Sequence, residues 1–179
     1  ASLREIGDFT IVGGEHADLP VPRVPAKNKL EPGESIQAKY EAEVAHLVRQ
    51  LLELNANVVF DLYELPTEID ASFRARITKG NAHDPTKAGF VAALFKALID
   101  LPKKMWVPMI VAVDEAQALA PEEGGKHTPA LVPMCNWGTL ARKRGQCPIY
   151  ATNSLAMIAN AAIRGFQNHL YGSQSMDAD

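Results

Sequence analysis

The stretch Met109-Ile110-Val111-Ala112-Val113-Asp114-Glu115-Ala116-Gln117 decides how the rest of the chain is read. Its five leading apolar residues include an isoleucine and two valines. They suit a strand covered on both faces, as in a parallel sheet flanked by helices. The run ends in two acids. In open α/β sheets ligands bind outside the carboxyl ends of the strands, so a carboxylate pair there has a chemical meaning. Asp114 is able to hold Mg2+ directly or through water, and Glu115 to take a proton from a water attacking a phosphate. Apolar runs followed by Asp-Glu also arise at strand-to-helix junctions, where the acids only cap a helix and interact with its dipole.

Composition bounds the classes to be considered. With 179 residues, 47% of them hydrophobic and 22% charged, the chain suits one globular domain over residues 1–179 with a sizeable core, which excludes a disordered tail. A net charge of −3 and a pI near 6.0 exclude a uniformly basic protein and leave local basic patches as the route to nucleic acid. Cys135 and Cys147 give neither a disulfide framework nor a zinc spacing. Both are expected as core thiols in a reducing compartment. No apolar run approaches the length of a membrane-crossing helix and no signal peptide precedes the first strand, so a cytoplasmic protein without a membrane partner is expected.

Strands and helices alternate around the acidic run. Phe9-Thr10-Ile11-Val12 reads as a strand stopped by Gly13-Gly14, and the proline-bearing segment 15–32 as a connection. His16 and Asp18 in it read as turn residues satisfied locally. Ser35 to Asn55 is the clearest helix, with Ile36, Tyr40, Val44, Leu47, Val48, Leu51 and Leu52 on one face; His46 on it reads as a packed or solvated side chain. Val58 to Leu62 is a second strand, and Asp61 and Glu64 are strand-end acids able to line the same cleft as Asp114 and Glu115. Residues 66–86 are irregular, with part of 69–77 helical. Arg74, Arg76, Lys79 and His83 there suit either a phosphate backbone or a solvated face. Ala88 to Leu101 resumes helical spacing and Pro102 stops it. After the acids, 122–128 is a polar loop, and Leu131 to Arg144 a helix with a basic end closed by Gly145. Pro148 to Asn153 is a strand, Leu155 to Phe166 a helix, and His169 to Tyr171 a last strand. Trp106 and Trp137 read as core or interface anchors. The alternation predicts an α/β domain with a mainly parallel sheet.

Val113-Asp114-Glu115-Ala116-Gln117 is the pattern of a Walker B strand, and four further segments join it. These are Ile11 to Pro20, the strand with Asp61, Arg142-Lys143-Arg144-Gly145, and Ala151-Thr152-Asn153. In this order they resemble the HerA/FtsK class of RecA-like DNA-translocating ATPases, nearest to HerA-like proteins, over most of the chain from Phe9 to Tyr171. The resemblance implies a RecA-like P-loop NTPase-type sheet, ATP with Mg2+ as cofactors, a homo-oligomeric ring of hexamer type and double-stranded DNA as partner, together with a nuclease or effector partner. Asp114 would match the Walker B magnesium acid and Glu115 the glutamate that activates water. Arg142 would match an arginine finger reaching the nucleotide of a neighbouring subunit, with Arg144 the alternative. Asn153 falls where the family has a polar sensor, commonly glutamine, and Ser154 replaces the arginine that often follows.

One family element is missing from the 179 residues. A phosphate-binding loop needs Gly-x-x-x-x-Gly-Lys-Ser/Thr, because its glycines let backbone amides cradle phosphates. Around Gly125-Lys126, Ala120 occupies the first glycine position and His127 the hydroxyl position. In the family this loop precedes the segment matching Phe9 to Pro20. The expectation is therefore a core incomplete at its N-terminus, with little ATP binding of its own and an exposed sheet edge or core face. Three functions follow: a DNA-dependent translocating ATPase or helicase, an inactive RecA-like scaffold, or a different α/β enzyme using Asp114 and Glu115 on another phosphorylated substrate. No His, Cys and Asp cluster has metal-site spacing, so magnesium carried with nucleotide is the only metal expected.

Overall fold

The computed structural model describes residues 8–23, 30, 32–66, 84–122, 128–164 and 166. The expected helix within 69–77, the basic cluster Arg74 to His83, the Gly125-Lys126 pair and the strand at 169–171 lie outside them. Helix α1, Ile36–Glu53, starts where the Ser35 hydroxyl accepts from the Ala38 amide at 3.1 Å. Such a cap satisfies one of the amides that a helix leaves without an internal partner. Its apolar face buries Ile36, Tyr40, Val44, Leu47, Val48 and Leu51. The chain turns out of the helix through Asn55, whose φ of 50° is a left-handed value that asparagine tolerates.

Helix α2, Lys87–Ile99, is capped in the same way, the Thr86 hydroxyl accepting from Gly89 N at 3.2 Å. It buries Phe90, Val91, Ala93, Leu94, Phe95, Ala97 and Leu98, nearly its whole circumference. A helix apolar all round belongs in a core. Accordingly α2 lies between α1 and α4, Leu131–Ala141, and packs on both. Phe95 meets the fully buried Trp137 of α4 with ring centroids 5.2 Å apart and planes tilted by 50°. Truncating either ring to alanine would cost about 3–5 kcal/mol.

The strands form two parallel pairs. Strand β1, Thr10–Val12, pairs with β2, Val58–Phe60, with Thr10 opposite Val58. Strand β3, Met109–Val113, pairs with β4, Gln146–Tyr150, with Met109 opposite Gln146 and Val113 opposite Tyr150. The chain is therefore mixed α/β with parallel pairing, arranged among the described residues as two two-stranded sheets. Helix α2 relates them. Its start adjoins the carboxyl end of β2, where Lys87 N donates to Pro66 O at 3.0 Å and Phe90 meets Phe60 at 5.6 Å. Its end adjoins the amino end of β4, where Arg144 Nη1 donates to Leu98 O at 2.7 Å.

Three expectations require correction. Strand β3 is not covered on both faces among the described residues: Met109, Val111 and Val113 pack on the core, whereas Ile110 is 70% exposed and Ala112 is also exposed. Five apolar residues in a row look the same whether the second face is covered or bare. On β4 the outward positions are Cys147, opposite Ile110, and Ile149, opposite Ala112. Cys147 is thus an exposed thiol and not a core one, while Cys135 is half-buried, and burial pushes its thiol up from the ordinary value. Finally, Leu155 to Phe166 is not one helix. A 3-10 turn, Leu155–Met157, gives way to extended Ile158 and Ala159 before the short helix α5, Asn160–Ile163. Ile158 is 1% exposed and bridges to Pro121, and Ala159 N donates to Ala120 O at 2.7 Å. Pairing with a distant segment outweighs local helical periodicity here.

Candidate functional site

The acids stand where strand β3 ends. Ala151 N donates to Val113 O at 2.8 Å and Ala116 N to Ala151 O at 2.9 Å, so pairing with the β4 side continues beyond both strands. Between those two bonds the chain must fit Asp114 and Glu115. It does so by putting Glu115 in the left-handed region, with φ 48° and ψ 43°. That conformation costs a non-glycine residue about 1–2 kcal/mol. The Asp114 carboxylate steadies it, its Oδ1 accepting from Glu115 N at 2.9 Å. Glu115 then leads directly into the one-turn helix α3, Ala116–Leu119. Both acidic side chains are exposed.

Asn153 joins them across the sheet. It sits at the tip of a tight turn in which Thr152 Oγ1 donates to Ser154 O at 2.9 Å and accepts from Ser154 N at 3.2 Å. The parallel register places this turn beside the end of β3. Asp114, Glu115 and Asn153 therefore share one edge. Arg142 and Arg144 do not. They occupy a 3-10 turn, Arg142–Arg144, before β4 begins, so about 13 Å or more of strand separates them from the acids of the same chain. Arg142 is exposed, whereas the Arg144 guanidinium is half-buried, bonded to Leu98 O and stacked 4.7 Å over the Trp106 ring.

Asp61 and Glu64 line a different cleft. Together with Gly14, Glu15, His16 and Tyr63 they bound an open space of about 410 Å³ at the carboxyl end of β1 and β2. Consecutive left-handed glycines shape it, Gly13 with φ 84° and Gly14 with φ 78°. A Cβ on Gly14 would lie 2.3 Å from Asp61 Oδ2, and one on Gly13 would lie 2.4 Å from Asp61 O. Gly13-Gly14 was visible in the sequence as a turn, but its contact with Asp61, 47 positions beyond Gly14, was not.

The donors at the β3 edge fit the magnesium end of a nucleotide. Among the described residues the second carboxylate oxygen of Asp114 has no partner, and magnesium ordinarily takes only one or two carboxylates beside substrate phosphates and water. No group of three or more His, Cys, Asp and Glu side chains able to enclose a metal occurs among the described residues. A phosphate cradle is not formed at this edge by the described residues, so the phosphate end of the nucleotide has no counterpart among them. No helix among the described residues is long and apolar enough to cross a membrane. Comparison with protein-family models, with curated proteins and with solved structures yields no match.

Proposed function

We propose that this chain is part of an ATP-hydrolysing DNA translocase of the HerA/FtsK class, with a RecA-like core, working as a ring of hexamer type on double-stranded DNA. The observation that carries the reading is the Asp114–Glu115 pair at the carboxyl end of parallel strand β3, with Glu115 held in a left-handed conformation beside Asn153. Strained non-glycine residues persist where their surroundings over-determine them, and they concentrate at working sites. Magnesium bound with ATP would supply charge neutralisation at the phosphates. Asp114 would hold that ion through its uncommitted oxygen, and Glu115 would take the proton from the attacking water. Asn153 would orient the water or the terminal phosphate by its amide. Arg142, distant from its own acids and open to solvent, suits service to the nucleotide of another subunit.

A scaffold without catalysis is the second reading. It is favoured by the absence of Gly-x-x-x-x-Gly-Lys-Ser/Thr from the 179 residues, since acids without a phosphate cradle lack the main binding term. ATP turnover by the full-length protein, with and without double-stranded DNA, separates the two. DNA-stimulated hydrolysis abolished by Glu115→Gln is expected. Unchanged nucleotide-free behaviour of wild type and Glu115→Gln would leave the scaffold.

A further inference from the structure

The last turn of α2 has an acceptor that its own helix cannot satisfy. The carbonyl of Leu98 would ordinarily receive the amide four residues on, but that residue is Pro102, which has no N–H. Arg144 supplies the donor from 46 positions away, at 2.7 Å. The same guanidinium lies over the Trp106 ring, 4.7 Å from its centroid, and Trp106 is itself held by Nε1 donating to Leu101 O at 2.9 Å. Gly145, with φ 72°, turns the chain into β4 directly afterwards. The 3-10 turn carrying Arg142 is thus tied at its third residue to the end of α2 and to the segment leading into β3.

The geometry assigns Arg144 and Trp106 the role of a clamp that positions Arg142 for a phosphoryl group held by another subunit. This rests on the reading of Arg142 as an arginine finger. Arg144 is a positioning residue, committed by one N–H to a carbonyl and by its charge to a ring. Arg142 projects from the turn two residues earlier, its side chain making no hydrogen bond or ion pair among the described residues. A long flexible side chain on a wandering turn would sample many placements, and a misplacement of about 1 Å can lower a rate by about a hundredfold. Fixing the turn leaves only the motion of the Arg142 side chain itself. Lysine at 144 would keep the charge but lose the planar guanidinium, whose fixed geometry serves the Leu98 carbonyl and the Trp106 ring together.

The test uses the full-length protein with ATP and double-stranded DNA, reading kcat and KM separately beside the thermal midpoint. Arg142→Ala sets the floor. Arg144→Lys and Trp106→Ala are expected to lower kcat roughly tenfold with KM within about twofold. Trp106→Phe, which keeps a ring face, should stay within about threefold of wild type. Arg142→Ala combined with Arg144→Lys should turn over no more slowly than Arg142→Ala alone, because the clamp acts only through Arg142. A wild-type kcat for both Arg144→Lys and Trp106→Ala, or additive losses in the double variant, would overturn the clamp while leaving the ATPase reading intact. A wild-type kcat for Arg142→Ala alongside an inactive Glu115→Gln would remove the finger, and the clamp with it, but not the catalytic acids. Should Arg144→Lys fail to fold, the contrast between Trp106→Ala and Trp106→Phe carries the same decision.

Discussion

Two strand ends in this molecule face the same steric problem and solve it differently. After β1 the chain enters the left-handed region at Gly13 and Gly14; after β3 it does so at Glu115. At the first edge there is no room for a side chain, because the Asp61 backbone and carboxylate occupy the places where Cβ atoms would be. Glycine is the residue with no Cβ to lose, so the turn is relaxed. At the second edge a carboxylate side chain is kept despite the backbone it must adopt. Space limits the first turn, whereas the second carries strain that a glycine would remove. On the proposed reading, the side chain that carries this strain is the one that does the chemistry.

That contrast can be broken by mutation. Gly13→Ala should have the largest effect, since its Cβ would meet Asp61 O at 2.4 Å and Val21 Cγ2 at 2.6 Å on a left-handed backbone. A loss of about 3 kcal/mol or more is expected in urea unfolding. A loss under about 1 kcal/mol would mean that the first edge opens easily and is not limited by space. Gly14→Ala should cost about 2 kcal/mol, and here the obstacle is a side chain, with Asp61 Oδ2 at 2.3 Å. Pairing it with Asp61→Ala should recover about 1 kcal/mol relative to the sum of the single changes.

Alkaline titration probes the packing behind the strands. Burial, reinforced by the negative charges of Glu43 and Asp84, pushes the Tyr40 hydroxyl from 10.0 up to about 12. The folded chain therefore keeps a proton that the unfolded chain releases. This contribution is complete below pH 10 and is lost as the pH rises from there to about 12, at roughly 1.4 kcal/mol per pH unit. Tyr150 is raised in the same direction, by burial first and then by Cys135, and its hydroxyl donates to Met134 O at 3.0 Å. Tyr40→Phe should flatten the alkaline loss on the α1 side and leave the part due to Tyr150. An unchanged pH slope would show that Tyr40 ionises in the folded chain as it does in the unfolded one.

The smallest effect is the most diagnostic for the second edge. Glu115→Gly should raise stability by about 0.5–1 kcal/mol while abolishing any turnover, and Glu115→Ala should abolish turnover with no such gain. A glycine variant less stable than wild type would show that the left-handed turn is not strained, and the two edges would then be alike.

Much of this organisation was legible in the residues. The helical spacing of Ile36 to Leu51 and of the segment from Ala88 follows from interactions within about four positions along the chain. The position of Asp114 and Glu115 at a strand end is local too, because the apolar run stops immediately before them. Other features depended on residues brought together from far apart. The bare outer face of β3 could not be read from its own side chains, since exposure is set by what other segments cover. Asn153 reaches the acids only through the register of β3 and β4, and Asp61 meets Gly14 only because β1 and β2 are parallel neighbours. Gln146 is 3% exposed and neither of its amide atoms has a partner among the described residues. The chain by itself determined the two long helices Ile36–Glu53 and Lys87–Ile99, the starts of β2 and β3 and the acidic edge, because short-range sterics, capping and periodicity act within a few residues. Tertiary structure alone decided the exposed face, the left-handed Glu115 and the Arg144–Trp106 stack, because each is imposed by a segment that the local sequence does not contain.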